Sequence, residues 1–227
     1  MNALHDHLFL SRLKTINLFL LGPGLVGGTL LELLKDQEDF ARATLRTRFK
    51  VVGIANRRTM FFDERGIDLN EWKTQLAAGQ PTDLGEFSEK VRHFNAPNSI
   101  VVDCTGEEPA VQAYLDLLRS SISVVTSSKI ANTLTQKFYH QLRMTASEHG
   151  AQFRYSTNVG AALPIIDSIK NIVQNGDAVE TIEAVLSGTM SFIFNSVNDG
   201  KLFSEAVREA IDGGLTEPDP RIDLSGT

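Results

Sequence analysis

Three glycines, Gly22, Gly24 and Gly27, stand at the spacing G-x-G-x-x-G. The first permits a tight turn, the second lets an anion reach the backbone, and the third lets a helix pack closely on a strand. Joined to the free N–H groups at a helix start, they suit a pyrophosphate. A strand–helix turn without a ligand would use the same glycines. Asn56, Arg57 and Arg58 form the next group. An acid at this place would hold the ribose 2′-OH of NAD. None is there, and guanidinium forks match phosphate oxygens, which points to the 2′-phosphate of NADP. The alternative is a solvated loop edge. Lys129 closes "TSSK" and could bind a carboxylate, donate a proton or simply lie on the surface. Glu217, Asp219 and Asp223 share the proline-stiffened "GGLTEPDPRIDLSG", which suits an ammonium-bearing substrate or an ordinary acidic loop.

These residues need elements to position them. Ile16 to Leu21 is a short apolar run, read as a strand buried on both faces. Leu25, Val26, Leu30, Leu33 and Leu34 then follow at helical spacing, and "FKVVGIAN" reads as a second strand. A strand–helix–strand order implies a parallel sheet with a right-handed crossover. Arg57 to Asn98 reads as an extended connection with a small helix or two, one of them in "DLNEWKTQLAAG". "SIVVDCTG" and "SISVVTSSK" are further strands, with an amphipathic helix between them through Val111, Tyr114, Leu115 and Leu118. Thr105 follows the first of these strands, and Ser127 and Lys129 follow the second. In a doubly wound sheet that edge is where a cofactor lies. Thr133 with Gln136 is a capping-box pattern for a helix ending at Gly150.

The pattern changes near Gly150. We expect an α/β domain over residues 1–150, a Rossmann-type doubly wound parallel sheet, followed over 151–227 by the first part of an α+β domain. In the second part Pro164 opens a helix, "ETIEAVLSGT" reads as a strand, and "MSFIFNSVNDG" and "LFSEAVREAIDGG" read as helices. The tail after them reads as a polar loop.

Composition narrows the function classes. The 227 residues are 42% hydrophobic and 22% charged, with a formal net charge of -6 and no block of like charge. That excludes a nucleic-acid or acidic-membrane partner as the expectation. No apolar run approaches the ~20 residues that span a bilayer. Cys104 is the only cysteine, so no internal disulfide forms and a cytoplasmic location is expected. Cys104 reads as a small buried hydrophobe, and the five histidines lack metal-ligand spacing. Met144 and Met190 read as core filler, and Phe192 and Phe194 as packing.

With these residues in place, the chain resembles the homoserine dehydrogenases, above all those fused behind an aspartate kinase. The matching segments, in order, are "GPGLVGG", "TNVGAALPII", "LSGTMSFIFN" and "GLTEPDPRIDLSG". The last is the most specific. The leader "HDHLFLS" is similar to the link after the kinase part. The resemblance implies NAD(P)-dependent reduction of L-aspartate 4-semialdehyde to L-homoserine in threonine and methionine biosynthesis, and a dimer. It implies a cofactor site of Gly22, Gly24, Leu25, Val26, Gly27, Asn56, Arg57, Thr105, Ser127, Lys129 and Gly214. Lys129 and Glu217 are implied as catalytic, with Glu217 on the substrate ammonium. Gly188, Thr189 and Asp223 are implied around the substrate. Tyr155, Asn158 and Val159 are implied near a monovalent cation such as Na⁺, held by backbone carbonyls. Ser128, Ile130 and Ile222 depart from the family pattern. The family motif runs on past the position of Thr227 to a lysine cast as proton donor. The expectation is therefore a C-terminally truncated chain, inactive alone. The competing readings are another NADP-dependent semialdehyde or imine reductase, and a non-catalytic nucleotide-binding module.

Overall fold

Leu18 to Leu21 are buried because β1 (Lys14–Leu21) runs through the middle of a sheet. The computed structural model describes residues 13–106, 108–161, 163–185, 187–216 and 219–225, without the side chains of Ile222 and Asp223. The chain divides into two compact units, 1–158 and 159–227.

In the first unit β1 is followed by α1 (Leu25–Asp36), α2 (Glu38–Ala43) and β2 (Thr47–Ala55). Next come β3 (Thr59–Phe62), α3 (Trp72–Ala77), β4 (Gln80–Pro81) and α4 (Leu84–Phe94). Then follow β5 (Ser99–Asp103), α5 (Glu108–Gln112), α6 (Tyr114–Arg119) and β6 (Ser123–Thr126). α7 (Ile130–Thr133), α8 (Gln136–Glu148), β7 (Phe153–Arg154) and a 3₁₀ turn (Ser156–Asn158) complete the unit. The seven strands lie in the order β4-β3-β2-β1-β5-β6-β7. Strands add to one side of β1 as far as β4, and the chain then crosses to its other side for β5. This is the doubly wound order, with its switch point between β1 and β5. Leu21 pairs with both Ala55 and Asp103, so three strand ends reach the same edge together.

The sheet is parallel except at β3 and β4, which are antiparallel. The sequence reading left this stretch irregular. Asn56 explains the local turn: its Oδ1 accepts from the N–H groups of Arg58 (2.7 Å) and Thr59 (2.8 Å). So short a return allows only an antiparallel partner. α3 and α4 answer to the small helix or two expected over this stretch, and Asp83 caps α4 by accepting from Glu86 N–H at 2.8 Å.

Three other expectations change. The single helix before β6 is two short ones, α5 and α6. The helix before Gly150 is capped by Thr135, which accepts from Phe138 N–H, rather than by Thr133, which ends α7. Met144 projects to solvent, so it fills no core. Gly150 does stop α8, with φ of +63°. β7 falls after that stop and still pairs with β6, extending the sheet.

The second unit holds α9 (Ile165–Gln174), α10 (Gly188–Asn198), α11 (Phe203–Asp212) and α12 (Pro220–Ser225). Pro164 stands at the N-cap of α9. α10 and α11 pack through Ile193, Ala206 and Ala210. Phe192 packs against this cluster, whereas Phe194 is exposed. The expected strand over "ETIEAV" is absent: residues 177–185 are exposed and form neither helix nor strand. A strand needs an edge to bond to, and the described residues of this unit contain no other strand. Within the tail read as a loop, Pro220–Ser225 forms α12 instead.

Candidate active site

A cleft of about 570 Å³ opens at the C-terminal ends of β1, β2 and β5. Its position is the switch point, where doubly wound sheets bind their ligands. Gly22, Gly24, Asn56, Arg57 and Thr105 all line it, so five of the residues named from sequence meet there. Thr82, Leu84 and Pro109 also line it and were missed. Thr82 had a weak signal, since it immediately precedes the cap Asp83. It donates from Oγ1 to the Asn56 carbonyl at 2.8 Å, tying the cleft wall to the β2 exit.

The bend between β1 and α1 admits only glycine at two points. A Cβ on Gly27 would sit 2.3 Å from the Gly22 carbonyl oxygen. One on Gly22 would meet the Cys104 backbone at 2.9 Å, and Gly22 has φ of +79°. Gly24 is different: a Cβ there would meet nothing within 4 Å and would only fill the open space. Gly24 is also the N-cap of α1, has no side-chain cap, and is followed by no acid in the first turn. The N–H groups of Leu25, Val26 and Gly27 therefore have no intrahelical acceptor. The donor set and the space above it suit a pyrophosphate. Thr105 Oγ1 is buried with no hydrogen-bond partner among the described residues, and belongs to the same wall.

The β2 end of the cleft presents donors. Both acceptor positions of Asn56 Oδ1 are taken by the turn described above. The Asn56 amide N–H groups and the exposed Arg57 guanidinium are the donors at this end. Such a set pairs best with an anionic, acceptor-rich group.

Beside the cleft lies an apolar groove of about 500 Å³. Leu25, Val26, Leu33 and Val125 form its sides, and Ser127 lies on it. Cys104 touches both cavities. Burial pushes its thiol above the ordinary value, against a weaker opposing hydrogen bond with Ser127, so it stays protonated and poorly nucleophilic.

Beneath the β5 and β6 exits is a buried polar cluster that sequence reasoning also missed. The Tyr114 hydroxyl donates to Asp103 Oδ2, and lies 3.1 Å from Thr126 Oγ1. Burial first, then the Asp103 charge, pushes the Tyr114 phenol far up, so it remains a donor. Asp103 Oδ1 accepts from Thr105 N–H at 2.7 Å, and Thr126 Oγ1 accepts from Ser128 N–H at 2.9 Å. One tyrosine thus fixes both strand exits. An aromatic residue with a hydroxyl at helical spacing reads as core, which hid this role.

Lys129 is exposed at the start of α7 and lines neither cavity. Tyr155 is buried and its hydroxyl accepts from Arg143 Nε at 3.2 Å. Asn158 ends the 3₁₀ turn, and Val159 opens the next turn. In the second unit, Gly188 begins α10 and the buried Thr189 donates to the Leu215 carbonyl at 2.5 Å. Gly214, with φ of +64°, terminates α11, where Leu215 N–H bonds back to Ala210 O at 2.9 Å. Glu217 and the Asp223 side chain lie outside the described residues. Asp219 pairs with Arg221, whose Nη2 stands 2.7 Å from Oδ2. Those hydrogen bonds bring its carboxyl down to about 2. Among the described residues no group of three or more His, Cys, Asp or Glu could hold a metal ion. None of their helices is long and apolar enough to cross a membrane.

The family model described as "Homoserine dehydrogenase, NAD binding domain" matches residues 22–156, and "Homoserine dehydrogenase" matches 164–227. The chain belongs to the homoserine dehydrogenase family. It is 40% identical over 230 residues to bifunctional aspartokinase/homoserine dehydrogenase 2, chloroplastic, of Arabidopsis thaliana, covering 100% of this chain and 25% of that protein. Against the bifunctional aspartokinase/homoserine dehydrogenase of Haemophilus influenzae the identity is 40%, covering 99% and 27%. Against the homoserine dehydrogenase of Schizosaccharomyces pombe it is 35%, covering 93% and 58%. The chain thus spans about a quarter of the bifunctional relatives. A hyperthermophilic archaeal homoserine dehydrogenase in complex with NADPH superposes with a TM-score of 0.78 at 29% identity, covering 94% of this chain and 66% of that one. The family assignment and the switch-point cleft agree on an NAD(P)-binding domain of the Rossmann type.

Proposed function

We propose that this chain belongs to an enzyme that reduces L-aspartate 4-semialdehyde to L-homoserine, and that the switch-point cleft holds its NADPH. The observation that carries the reading is the glycine bend, where uncapped α1 amides face open space above Gly24. The cofactor would supply the hydride. Gly22, Gly24 and the amides of Leu25, Val26 and Gly27 would hold its pyrophosphate. Asn56 and Arg57 offer donors to a 2′-phosphate, which favours NADPH over NADH. The orphaned Thr105 hydroxyl and Ser127 would serve the remainder of the cofactor.

Lys129 would supply positive charge near the reacting oxygen, and Glu217 would hold the substrate ammonium through a charge-assisted hydrogen bond. Gly188, Thr189 and Asp223 would shape the substrate pocket, with Gly214 near the cofactor. These roles follow the family resemblance, as do dimer formation and a monovalent cation near Tyr155, Asn158 and Val159. The names of the bifunctional relatives support a fused aspartate kinase in the whole protein. The lone cysteine supports a reducing compartment, hence the cytoplasm.

Titration of the chain with NADPH, followed by nucleotide fluorescence, tests the reading. Saturable binding is expected, and Gly27→Ala is expected to abolish it. A parent chain that binds no NADPH rejects the cofactor site. Binding with homoserine-independent oxidation of other alcohols by the whole enzyme would instead favour a different semialdehyde reductase.

A further inference from the structure

The loop after β6 carries Ser127 and Lys129, and the backbone N–H and C=O groups of its first two residues are all engaged. Ser127 N–H donates to Asp103 O at 3.0 Å, and Ser128 N–H donates to Thr126 Oγ1. The carbonyls of Ser127 and Ser128 both accept from one group, Asn158 Nδ2, at 3.2 and 3.1 Å. Asn158 lies thirty residues further along the chain than Ser128. Its side chain therefore closes a long loop onto the segment that presents Lys129.

The amide orientation is dictated by the groups at either end of a relay. Arg143 carries only donors, and Arg143 Nη2 reaches Asn132 Oδ1 at 2.9 Å. That turns Asn132 Nδ2 toward Asn158 Oδ1, at 2.6 Å. Asn158 Nδ2 is then left to face the two carbonyls, which can only accept. A donor-only cation at one end and an acceptor-only carbonyl pair at the other leave one arrangement for both amides. Arg143 is itself held by a hydrogen bond to Tyr139 O at 2.8 Å and by stacking over the Tyr139 ring. Its guanidinium carbon also lies 4.5 Å from the Tyr155 ring centroid.

We propose that Asn158 is a positioning residue: through the Arg143–Asn132 relay it fixes the Ser127–Lys129 loop in the geometry that receives the cofactor. The proposal rests on the cofactor reading above. It gives Asn158 a side-chain role, separate from any ligation by its backbone.

Two variants test it in the full chain. Asn158→Asp keeps the shape but sets a carboxylate against two carbonyls. Asn132→Asp keeps an acceptor for Arg143, yet turns the Asn158 amide over by removing the donor it faces. Each is expected to weaken NADPH binding about tenfold at pH 8 and to speed hydrogen exchange at the Ser127–Lys129 amides. In Asn158→Asp the loss should shrink as pH falls and the introduced carboxyl protonates into a donor, while the parent shows no such recovery. A general packing defect would not track that titration. If Asn158→Asp fails to fold, Asn132→Asp alone decides the matter. Affinity within twofold of the parent and unchanged loop exchange would overturn the proposal. Should the parent bind no NADPH, the cofactor reading fails, and loop exchange alone then judges the brace.

Discussion

Residues 13–158 and 159–225 bury their apolar side chains very differently. In the first unit, Leu20, Leu31, Ile54, Trp72 and Leu76 belong to one core cluster, and Phe19 is 0% exposed against the sheet's other face. In the second, the buried cluster among the described residues is Ile193, Ala206 and Ala210. Leu163, Ile182, Val185, Phe194 and Leu202 stay exposed there. A sheet whose strands hydrogen-bond one another can hold a cleft to a fixed shape. Helices sharing a small contact cannot do so to the same degree. The cleft with a fixed wall accordingly lies in the first unit.

The sharpest way to break this contrast is a pair of aromatic truncations. Phe19→Ala should destabilise the chain by about 3–5 kcal/mol in urea melts, the cost of a large cavity in a packed core. Phe194→Ala should change stability by no more than about 0.5 kcal/mol, as exposed substitutions do. Equal effects would mean the two units share their stability. Next in size is Tyr114→Phe. It removes a donor to the buried Asp103 carboxylate and should cost about 1.5–3 kcal/mol. It should also loosen Thr105 and Ser128 together, seen as faster exchange of both amides. Exchange rising at one site only would deny that a single hydroxyl ties the two exits.

Arg57→Ala addresses the β2 end of the cleft. NADPH affinity should fall about tenfold, from the loss of one charge-assisted hydrogen bond, with NADH affinity little changed. Equal loss for both nucleotides would remove Arg57 from the 2′ position. The smallest effect concerns Asp219 in the second unit. Arg221 holds its carboxyl at about 2, below the ordinary 3.8. The pairing contributes stability above pH 3.8, and loses it as pH falls through about 2. The pair is solvent-accessible, so the change in stability should be slight. Its midpoint, followed by carbon-detected magnetic resonance, should return toward the ordinary value in Arg221→Ala.

Legibility in the sequence followed the range of the interaction. The glycine bend, β1, β2, β5 and β6 were readable because apolar runs and turn residues act locally. β3 escaped because its pairing depends on a side-chain turn at Asn56, and the second of the one or two small helices, α4, had no stated place because Asp83 lies in a polar, turn-rich tract. "ETIEAV" has strand composition without an edge to join, so propensity alone misled. Gly22, Gly24, Asn56, Arg57 and Thr105 were found as cleft residues because strand ends converge at a switch point. Asn132, Arg143 and Asn158 were hidden as a working set. Nothing in their spacing announces a relay that closes only after α8 packs beside β7.

Cys104 forms part of the wall between the switch-point cleft and the apolar groove, and it is the one cysteine in 227 residues. That makes it a unique attachment point for an environment-sensitive dye. Because its thiol is raised by burial, coupling calls for alkaline buffer. A single fluorophore tethered there would report changes of polarity on either side of the partition.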